Sequence, residues 1–240
     1  MPTILADSFT ASLAKLSNDE QKQAKLTAFD LQTDPKGPGL KMHRIDASKD
    51  PNFWSVRVNR DIRIIVHKTG DSVMLAYVDH HEDAYKWAER RRIEAHPRTG
   101  ALQIVEVRER VEETTFRPEP PRQPELPFVV TPSPSGSDLP LFAQLSAEQA
   151  LSIGVPSDWV EDVLQASEDR FFALASHLPQ EASEALLDYA VSGVLKQPAP
   201  VDTSPVSHPD AQRRFRILEG HQELAAALDQ PFEKWAVFLH

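Results

Sequence analysis

The stretch FWSVRVNRDIRIIVHKTGDSVMLAYVDHHEDAY, Phe53–Tyr85, decides the fold of the first half of the chain. Apolar and polar residues alternate through three runs, which is typical of β-strands with one face more buried than the other. Thr69–Asp71 separates the last two runs and predicts a tight hairpin turn. The alternation ends at His80 and His81, and a helix is expected from about Glu82.

Weaker patterns on both sides of this stretch complete an α+β domain. Two amphipathic segments, residues 7–16 and 17–32, precede the strands and predict helices, the second with a cap at Ser17. Residues 40–46 predict a strand before the quoted stretch, and residues 100–113 predict a further strand after it. The expected fold class is α+β, with two N-terminal helices, a four-stranded, mostly antiparallel sheet and a C-terminal helix.

Proline marks the boundaries between regions. Eight of the 20 prolines lie between Pro118 and Pro140, a density that excludes both a helix interior and a central strand. We therefore expect an α+β domain, a proline-rich linker, a small helical domain, and a linker leading to a strand-like piece and a helix. Their bounds are residues 1–115, 116–140, 141–196 and 197–240. In the helical domain, core positions are expected for Trp159, Phe171 and Phe172.

Composition limits the class of protein. The absence of cysteine excludes disulfides and thiolate metal sites. The N-terminus lacks the basic-then-apolar order of a signal peptide, and no window approaches about 18 apolar residues, so we expect a cytoplasmic protein without membrane contact. The net charge of −10 comes from residues 116–240, because residues 1–115 carry 18 basic and 18 acidic side chains. No cofactor is expected.

Basic residues concentrate in the predicted sheet, which suggests contact with nucleic acid. Residues 41–68 hold seven Lys and Arg against three acids, so this part of an acidic chain could approach phosphate. The candidate nucleic-acid-binding residues are Lys41, His43, Arg44, Arg57, Arg60, Arg63 and Lys68.

Three short motifs in the sheet carry a resemblance to a known family. They are Trp54–Arg57 (WSVR), Arg63–Val66 (RIIV) and, after the last strand, His81–Tyr85 (HEDAY). In this order, after two helices, they resemble the RelE/ParE superfamily of bacterial toxins. The resemblance implies the RelE-like fold and a nucleic-acid ligand, and it leaves an antitoxin partner open.

The RelE branch of that family cuts mRNA on the ribosome by in-line attack of the 2′-OH. This chemistry needs a base, cations for the phosphate and an acid for the leaving oxygen. The resemblance implies a proton-transfer role for His81, with Tyr85 stacking on a base or helping to move a proton. Arg57 and Arg63 would hold the phosphate. Such arginines persist in the ParE branch, which poisons gyrase without cleavage, so both activities stay open.

A second resemblance extends over the whole chain. The segments WAERRRIEAHPRTGALQIVEVRE and RFRILEGHQELAAALDQPFEKWAVFLH, on either side of the linkers, resemble the N-terminal region of bacterial superfamily I (UvrD-type) DNA helicases. No Walker A motif occurs in the chain, so these residues cannot bind ATP through a P-loop. The expected function is an accessory, RelE-like module that binds nucleic acid or a partner beside helicase motor domains. The alternatives are an RNA endonuclease and a gyrase poison.

Each candidate also has a plain structural explanation. Neighbouring residues of a strand point to opposite faces, so at most one of His80 and His81 can face a given site. Adjacent histidines bind one ion poorly, and no metal is expected. The acids Glu82, Asp83 and Glu89 disfavour an RNA cleft beside His81. The run ERRR that follows is expected to be a solvated helix end.

Overall fold

The computed structural model describes residues 3–35, 37–70, 72–107, 140–196 and 204–229. The chain forms two compact units, residues 1–107 with 197–240, and residues 108–196. Almost all of the expected proline-rich linker at 116–140 lies outside the described residues, and so does the segment 230–240.

The helices and strands are as follows. The strands, all in the first unit, are β1 (Thr3–Ala6), β2 (His43–Arg44), β3 (Phe53–Arg57), β4 (Ile62–Thr69), β5 (Ser72–His80), β6 (Arg91–Ala95), β7 (Leu102–Glu106) and β8 (Phe215–Leu218). The helices are α1 (Asp7–Leu13), α2 (Asn18–Thr33), α3 (His81–Glu89), α4 (Ala147–Ser152), α5 (Val160–Gln165), α6 (Glu168–Ala175), α7 (Gln180–Ser192), α8 (Pro209–Gln212) and α9 (His221–Asp229). Helices α4 to α7 belong to the second unit.

Six of these strands form one sheet in the order β2-β3-β4-β5-β1-β8. The β3-β4-β5 meander is antiparallel, as the alternating pattern predicts, and Thr69 pairs with Ser72 at the expected hairpin. Side chains on one face pack with α1, α2 and α9, and we call this the α2 face. Side chains on the other face pack with α3, α8 and β6, and we call this the α3 face.

The sheet has two more strands than the sequence predicts. β1 lies beside β5 in parallel, and β8 pairs antiparallel with β1, so a segment near the end of the chain completes a sheet begun at its start. The predicted four-stranded sheet is therefore a six-stranded, mixed sheet. A four-residue run such as β1 carries too little alternation to indicate a strand, because its partners lie far away in sequence.

The region after α3 also differs from the prediction. The run ERRR was expected to be a solvated helix end, yet α3 ends at Glu89 and the next residues begin β6. β6 pairs with β7 in a separate two-stranded sheet. The strand expected over residues 40–46 is reduced to the two residues of β2, preceded by a 3-10 turn.

The described part of the second unit is helical. Its core contains Trp159 and Phe171 as predicted, with Phe142 packed edge-on against Phe171. The prediction for Phe172 is wrong, because 64% of this residue is exposed. Two phenylalanines in succession on a helix point about 100° apart, so the burial of one leaves the other outside. Across the described residues of both units, no helix has the length and apolarity needed to cross a bilayer.

Candidate nucleic-acid interface

The turn between β3 and β4, which we call the 59–61 turn, is the centre of the candidate site. Asn59 Oδ1 accepts the backbone N–H groups of Asp61 and Ile62, both at 2.8 Å. Asn59 Nδ2 donates to Gln23 Oε1 of α2 at 2.7 Å. An asparagine that bonds its own backbone in this way closes a turn. The turn is thus fixed internally and also tied to α2.

The side chains of Arg57 and Arg63 converge on this turn. They are directly opposite each other in the β3–β4 register, at positions that belong to the α3 face. Arg57 Nε donates to the Asn59 carbonyl oxygen at 2.9 Å, and Arg63 Nη1 donates to the same oxygen at 3.0 Å. Among the described residues, neither guanidinium has a carboxylate oxygen within 4.0 Å. Arg63 also donates to the carbonyl oxygens of Ile62 at 3.0 Å and Arg60 at 3.5 Å. Among the described residues, the two Nη groups of Arg57 and the Nε of Arg63 keep donors that suit an anion such as phosphate.

The nearest carboxylate in the register is engaged elsewhere. Asp79 is opposite Arg63 in the β4–β5 pairing. Its Oδ2 accepts the hydroxyl of Tyr77 at 2.9 Å, and its Oδ1 accepts the backbone N–H of His80 at 2.8 Å. Asp79 therefore reduces the positive potential at Arg63 without forming an ion pair with it.

Asp61 joins the 59–61 turn to the start of α3. Its carboxylate contacts His80 Nδ1 at 2.6 Å, and the nearby backbone N–H of His81 lowers the pKa of this carboxylate. A carboxylate at a helix N-terminus satisfies an otherwise unpaired N–H group and interacts well with the helix dipole. The turn that holds the two arginines is therefore bound directly to the helix that carries His81.

The pKa values of this pair move in opposite directions. The hydrogen bond to Asp61 raises the pKa of His80, burial opposes this rise, and the charges of Asp61, Glu20 and Asp79 add to it. The hydrogen bond from His80 lowers the pKa of Asp61, and the charge of Arg63 lowers it further. Both shifts favour a charged pair.

His81 and Tyr85 form a stacked pair on α3. Their ring centroids are 4.6 Å apart with an interplanar angle of 28°. The Tyr85 hydroxyl is 2.8 Å from Ser55 Oγ on β3, so a hydrogen bond to the sheet holds the Tyr85 ring in place. Ser55 is opposite His43 in the β2–β3 register and two residues before Arg57 on the same face. The exposed ring of His81 is therefore connected, through Tyr85 and Ser55, to the strand that carries Arg57.

An aromatic cluster holds α3 against the sheet. Tyr77 stacks on Trp87 at 4.7 Å with nearly parallel rings, and Phe53 meets Trp87 edge-on. The guanidinium carbon of Arg91 lies 5.2 Å from the centre of the Trp87 ring. Burial, followed by the hydrogen bond to Asp79, raises the pKa of Tyr77 to about 12. Tyr77 thus remains a neutral hydrogen-bond donor at ordinary pH, and Trp87 is a core residue.

The other predicted basic residues do not join this site. Arg44 is opposite Trp54 in the register, and Lys68 Nζ lies 5.7 Å from the centre of the Trp54 ring, both on the α2 face. Arg60 is exposed in the turn, and Lys41 is exposed in a left-handed conformation beside the 3-10 turn. Of the seven predicted residues, Arg57, Arg63 and His43 lie on the α3 face in the described structure. Arg60 lies in the adjoining 59–61 turn.

His67 on β4 is buried away from this surface. His67 Nε2 lies 3.1 Å from Asp50 Oδ2, and the same oxygen accepts the backbone N–H of Ile93 at 2.9 Å. Burial alone would raise the pKa of Asp50, but the hydrogen bonds from His67, Ile93 and Asn52 outweigh it and lower the pKa. The pair connects three segments of the first unit and has a structural role.

A cavity of about 430 Å³ adjoins Arg57 on the side of α2. It is lined by Thr27, Asp30, Thr33 and Asp34 from α2, the turn residues Gly37, Gly39 and Leu40, and Arg57 and Val58 from the sheet. Its carboxylates would repel a phosphate, so we assign the anion site to the α3 face. Within the described residues, no three His, Asp or Glu side chains come together as a metal site would require.

Sequence reasoning missed Asn59, Asp61 and Ser55, which arrange the site without carrying its chemistry. The three-residue pattern Asn-x-Asp between two strands is a recognisable turn signal. Nothing in the linear sequence indicates that this turn would receive both arginines, because that depends on the register of β3 and β4.

Comparison with known proteins gives limited further information. No family model matches the chain, and no curated protein matches it. Among solved structures, the chain is similar to a RelB–RelE antitoxin–toxin complex from Methanococcus jannaschii, with 20% identity over 35% of this chain and 95% of that chain, at a TM-score of 0.30. It is also similar to a copper-bound mutant toxin from Helicobacter pylori, with 17% identity over 34% of this chain and 94% of that chain, at a TM-score of 0.26. Both likenesses are weak and confined to about a third of the chain.

Proposed function

We propose that the first unit is a RelE-like module that binds single-stranded nucleic acid on its α3 face. The observation that carries this proposal is the convergence of Arg57 and Arg63 on one carbonyl oxygen without a carboxylate partner among the described residues. Phosphate oxygens would accept their free N–H groups. A neighbouring base would stack on the exposed ring of His81, as bases do on aromatic platforms.

The context of this module is a proposal from the sequence alone. The segment that resembles the lead-in to a superfamily I helicase motor includes β8 and α9, and these two elements belong to the first unit. The coding sequence directly after His240 tests this: a Gln and a Walker A motif there support the helicase context, and their absence opposes it.

Binding is tested by fluorescence anisotropy with a labelled single-stranded oligonucleotide, as RNA and as DNA of the same sequence. We expect Arg57→Gln with Arg63→Gln to weaken binding by about tenfold at moderate salt and to reduce the salt slope by about 1 to 2. The matched control is Arg44→Gln with Lys68→Gln, which removes the same charge from the opposite face. Equal losses for both pairs would mean that net charge, and no particular site, drives binding.

RNA cleavage is a second candidate, favoured by the stacked His81 and Tyr85 beside the arginine pair. In the in-line reaction, the 2′-oxygen loses its proton and attacks phosphorus, and the 5′-oxygen leaves and takes up a proton. The products are a 2′,3′-cyclic phosphate and a free 5′-OH. His81 would move a proton at one of these oxygens, while Arg57 and Arg63 hold the charged phosphoryl oxygens.

Expression of the full chain in a bacterium separates binding from cleavage. An active endonuclease arrests growth and releases mRNA fragments with 2′,3′-cyclic phosphate ends, and His81→Ala abolishes both effects. His221→Ala, at an exposed histidine of α9, which packs on the opposite face, is the matched control and should remain toxic. Unimpaired growth with normal RNA binding would leave the binding module as the function. Growth arrest with intact mRNA and inhibited gyrase would favour the ParE-like alternative.

A further inference from the structure

Helix α7 of the second unit has two apolar faces, and only one of them is used by the fold. Ala182 and Leu186 are fully buried in the core of that unit. Leu187 and Val191 are four residues apart, which places them on one side of the helix, and Val194 follows the left-handed C-cap Gly193 that ends it. Their exposed fractions are 41%, 90% and 60%. Such a stripe of large apolar side chains in solvent marks an interaction surface.

The charge around this stripe is strongly one-sided. The described residues 140–196 contain nine Asp and Glu but only two Lys and Arg, Arg170 and Lys196. Lys196 already pairs with Asp188 at 3.1 Å. Glu184 and Asp188 flank the stripe. Glu184 precedes Leu187 by three residues, and Asp188 precedes Val191 by three, so each acid lies one turn before an apolar residue on the helix surface. An apolar line with acidic borders is complementary to an apolar line with basic borders.

We propose that this face of α7 binds a cationic amphipathic helix of a partner protein. A helix lays its apolar stripe against such a surface by side chains spaced at i, i+4 and i+7. Lysine and arginine beside the partner's stripe would meet Glu184 and would compete with Lys196 for Asp188. A second copy of this chain is a poorer occupant, since it would bring the same acids against one another. The acidic second unit is thus a docking module, separate from nucleic-acid binding by the first unit.

The test uses the full chain and a labelled peptide of about 18 residues, made of leucine and lysine with the leucines along one helix face. The comparison peptide has the same composition in scrambled order, so it has the same charge without the stripe. We expect the amphipathic peptide to bind at least about tenfold more tightly than the scrambled one. Leu187→Asp with Val191→Asp should remove that difference, with the helical circular dichroism unchanged.

Leu26→Asp is the matched control, because Leu26 is a comparably exposed leucine (64%) on α2 of the first unit. It should bind the amphipathic peptide like the unsubstituted chain. Equal binding of the two peptides would reduce the effect to charge attraction and overturn the proposal. So would unaltered binding by the Leu187/Val191 variant, or light scattering that finds a dimer which this variant dissociates.

Discussion

Asp61 is an exposed side chain, yet it connects the two parts of the candidate site. It contacts the ring of His80, the N-cap of α3, while its own turn receives Arg57 and Arg63. The adjacent histidines therefore have different tasks. His80 binds the helix to the turn, and His81 is left to stack on Tyr85 and face solvent.

This division predicts how His80 titrates. In the native chain its pKa should lie above the ordinary histidine value, because Asp61 stabilises the charged ring. Asp61→Asn removes the main cause and should return the pKa to the ordinary range. An NMR titration of the His80 ring protons, assigned with His80→Gln, measures both values. An unshifted pKa in the native chain would show that the contact does not persist in solution.

The same pair predicts a pH window for stability. A raised histidine pKa contributes stability below its unfolded value of about 6.5, and this is lost as pH rises through the folded pKa. A lowered aspartate pKa contributes stability above its unfolded value, at about pH 3.9, and this stability is lost as pH falls through the folded pKa. The loss of urea stability in Asp61→Asn should therefore be largest between about pH 4 and 6.5 and smaller at pH 8.5. A loss that does not vary with pH would contradict the charged pair.

The buried pair of Asp50 and His67 contributes to the stability of the fold through hydrogen bonds. Asp50 accepts hydrogen bonds from His67, Ile93 and Asn52, so its removal leaves buried donors without partners. We expect Asp50→Ala to lower the free energy of unfolding by about 2 to 4 kcal/mol. Asp46→Ala, at an exposed position of the same loop, should change it by less than about 0.5 kcal/mol. The measurement is urea unfolding followed by tryptophan fluorescence, and equal effects would refute the structural role.

At the residue scale, the sequence predicts chemical types better than arrangements. The spacing of Trp54–Arg57 and Arg63–Val66 indicates two arginines on a sheet, and alternation separates His80 from His81. That Arg57 and Arg63 share one carbonyl follows from the Asn59 turn and the β3–β4 register, which no spacing rule contains. The exposure of Phe172 escaped prediction for a similar reason, since helical periodicity alone does not say which face a neighbour will cover.

At the scale of elements, β8 decides where the first unit ends. Phe215 and Leu218 are almost completely buried, on the α3 face and the α2 face respectively, and β8 covers the edge of β1. An uncovered strand edge invites pairing with other chains. The sequence predicts the hairpin of β4 and β5 because its signals are local. It indicates β8 as a strand-like piece but does not indicate β1 or the pairing of the two, which joins residues more than half the chain apart.

Loss of the β8 contacts should destabilise the whole first unit. We expect Phe215→Ala to lower its free energy of unfolding by about 3 kcal/mol, since a large buried side chain is replaced by a cavity. Ile217→Ala, at a half-exposed position of the same strand, should cost about 1 kcal/mol or less. Hydrogen exchange at the β1 amides should accelerate in Phe215→Ala alone. Unaltered exchange there would mean that β8 is not part of the sheet in solution.

At the scale of the whole molecule, we propose that an acidic chain binds a polyanion through one local pair of cations. The net charge of −10 opposes such binding, and the deficit lies outside residues 1–115. Long-range repulsion is screened by salt, whereas direct contacts between arginine and phosphate at short distance persist longer. The binding surface therefore has to be small and specific in position, which makes it open to direct observation.

The most direct measurement is an NMR titration of the arginine Nε–Hε resonances of the full chain with a short single-stranded oligonucleotide. Arg57 and Arg63 should shift together and saturate at the same ligand concentration, because both guanidinium groups meet the same phosphate. Arg44, on the opposite face, should not shift. Shifts at Arg44 with Arg57 and Arg63 unmoved, or binding with no shift at either arginine of the pair, would contradict the proposed interface.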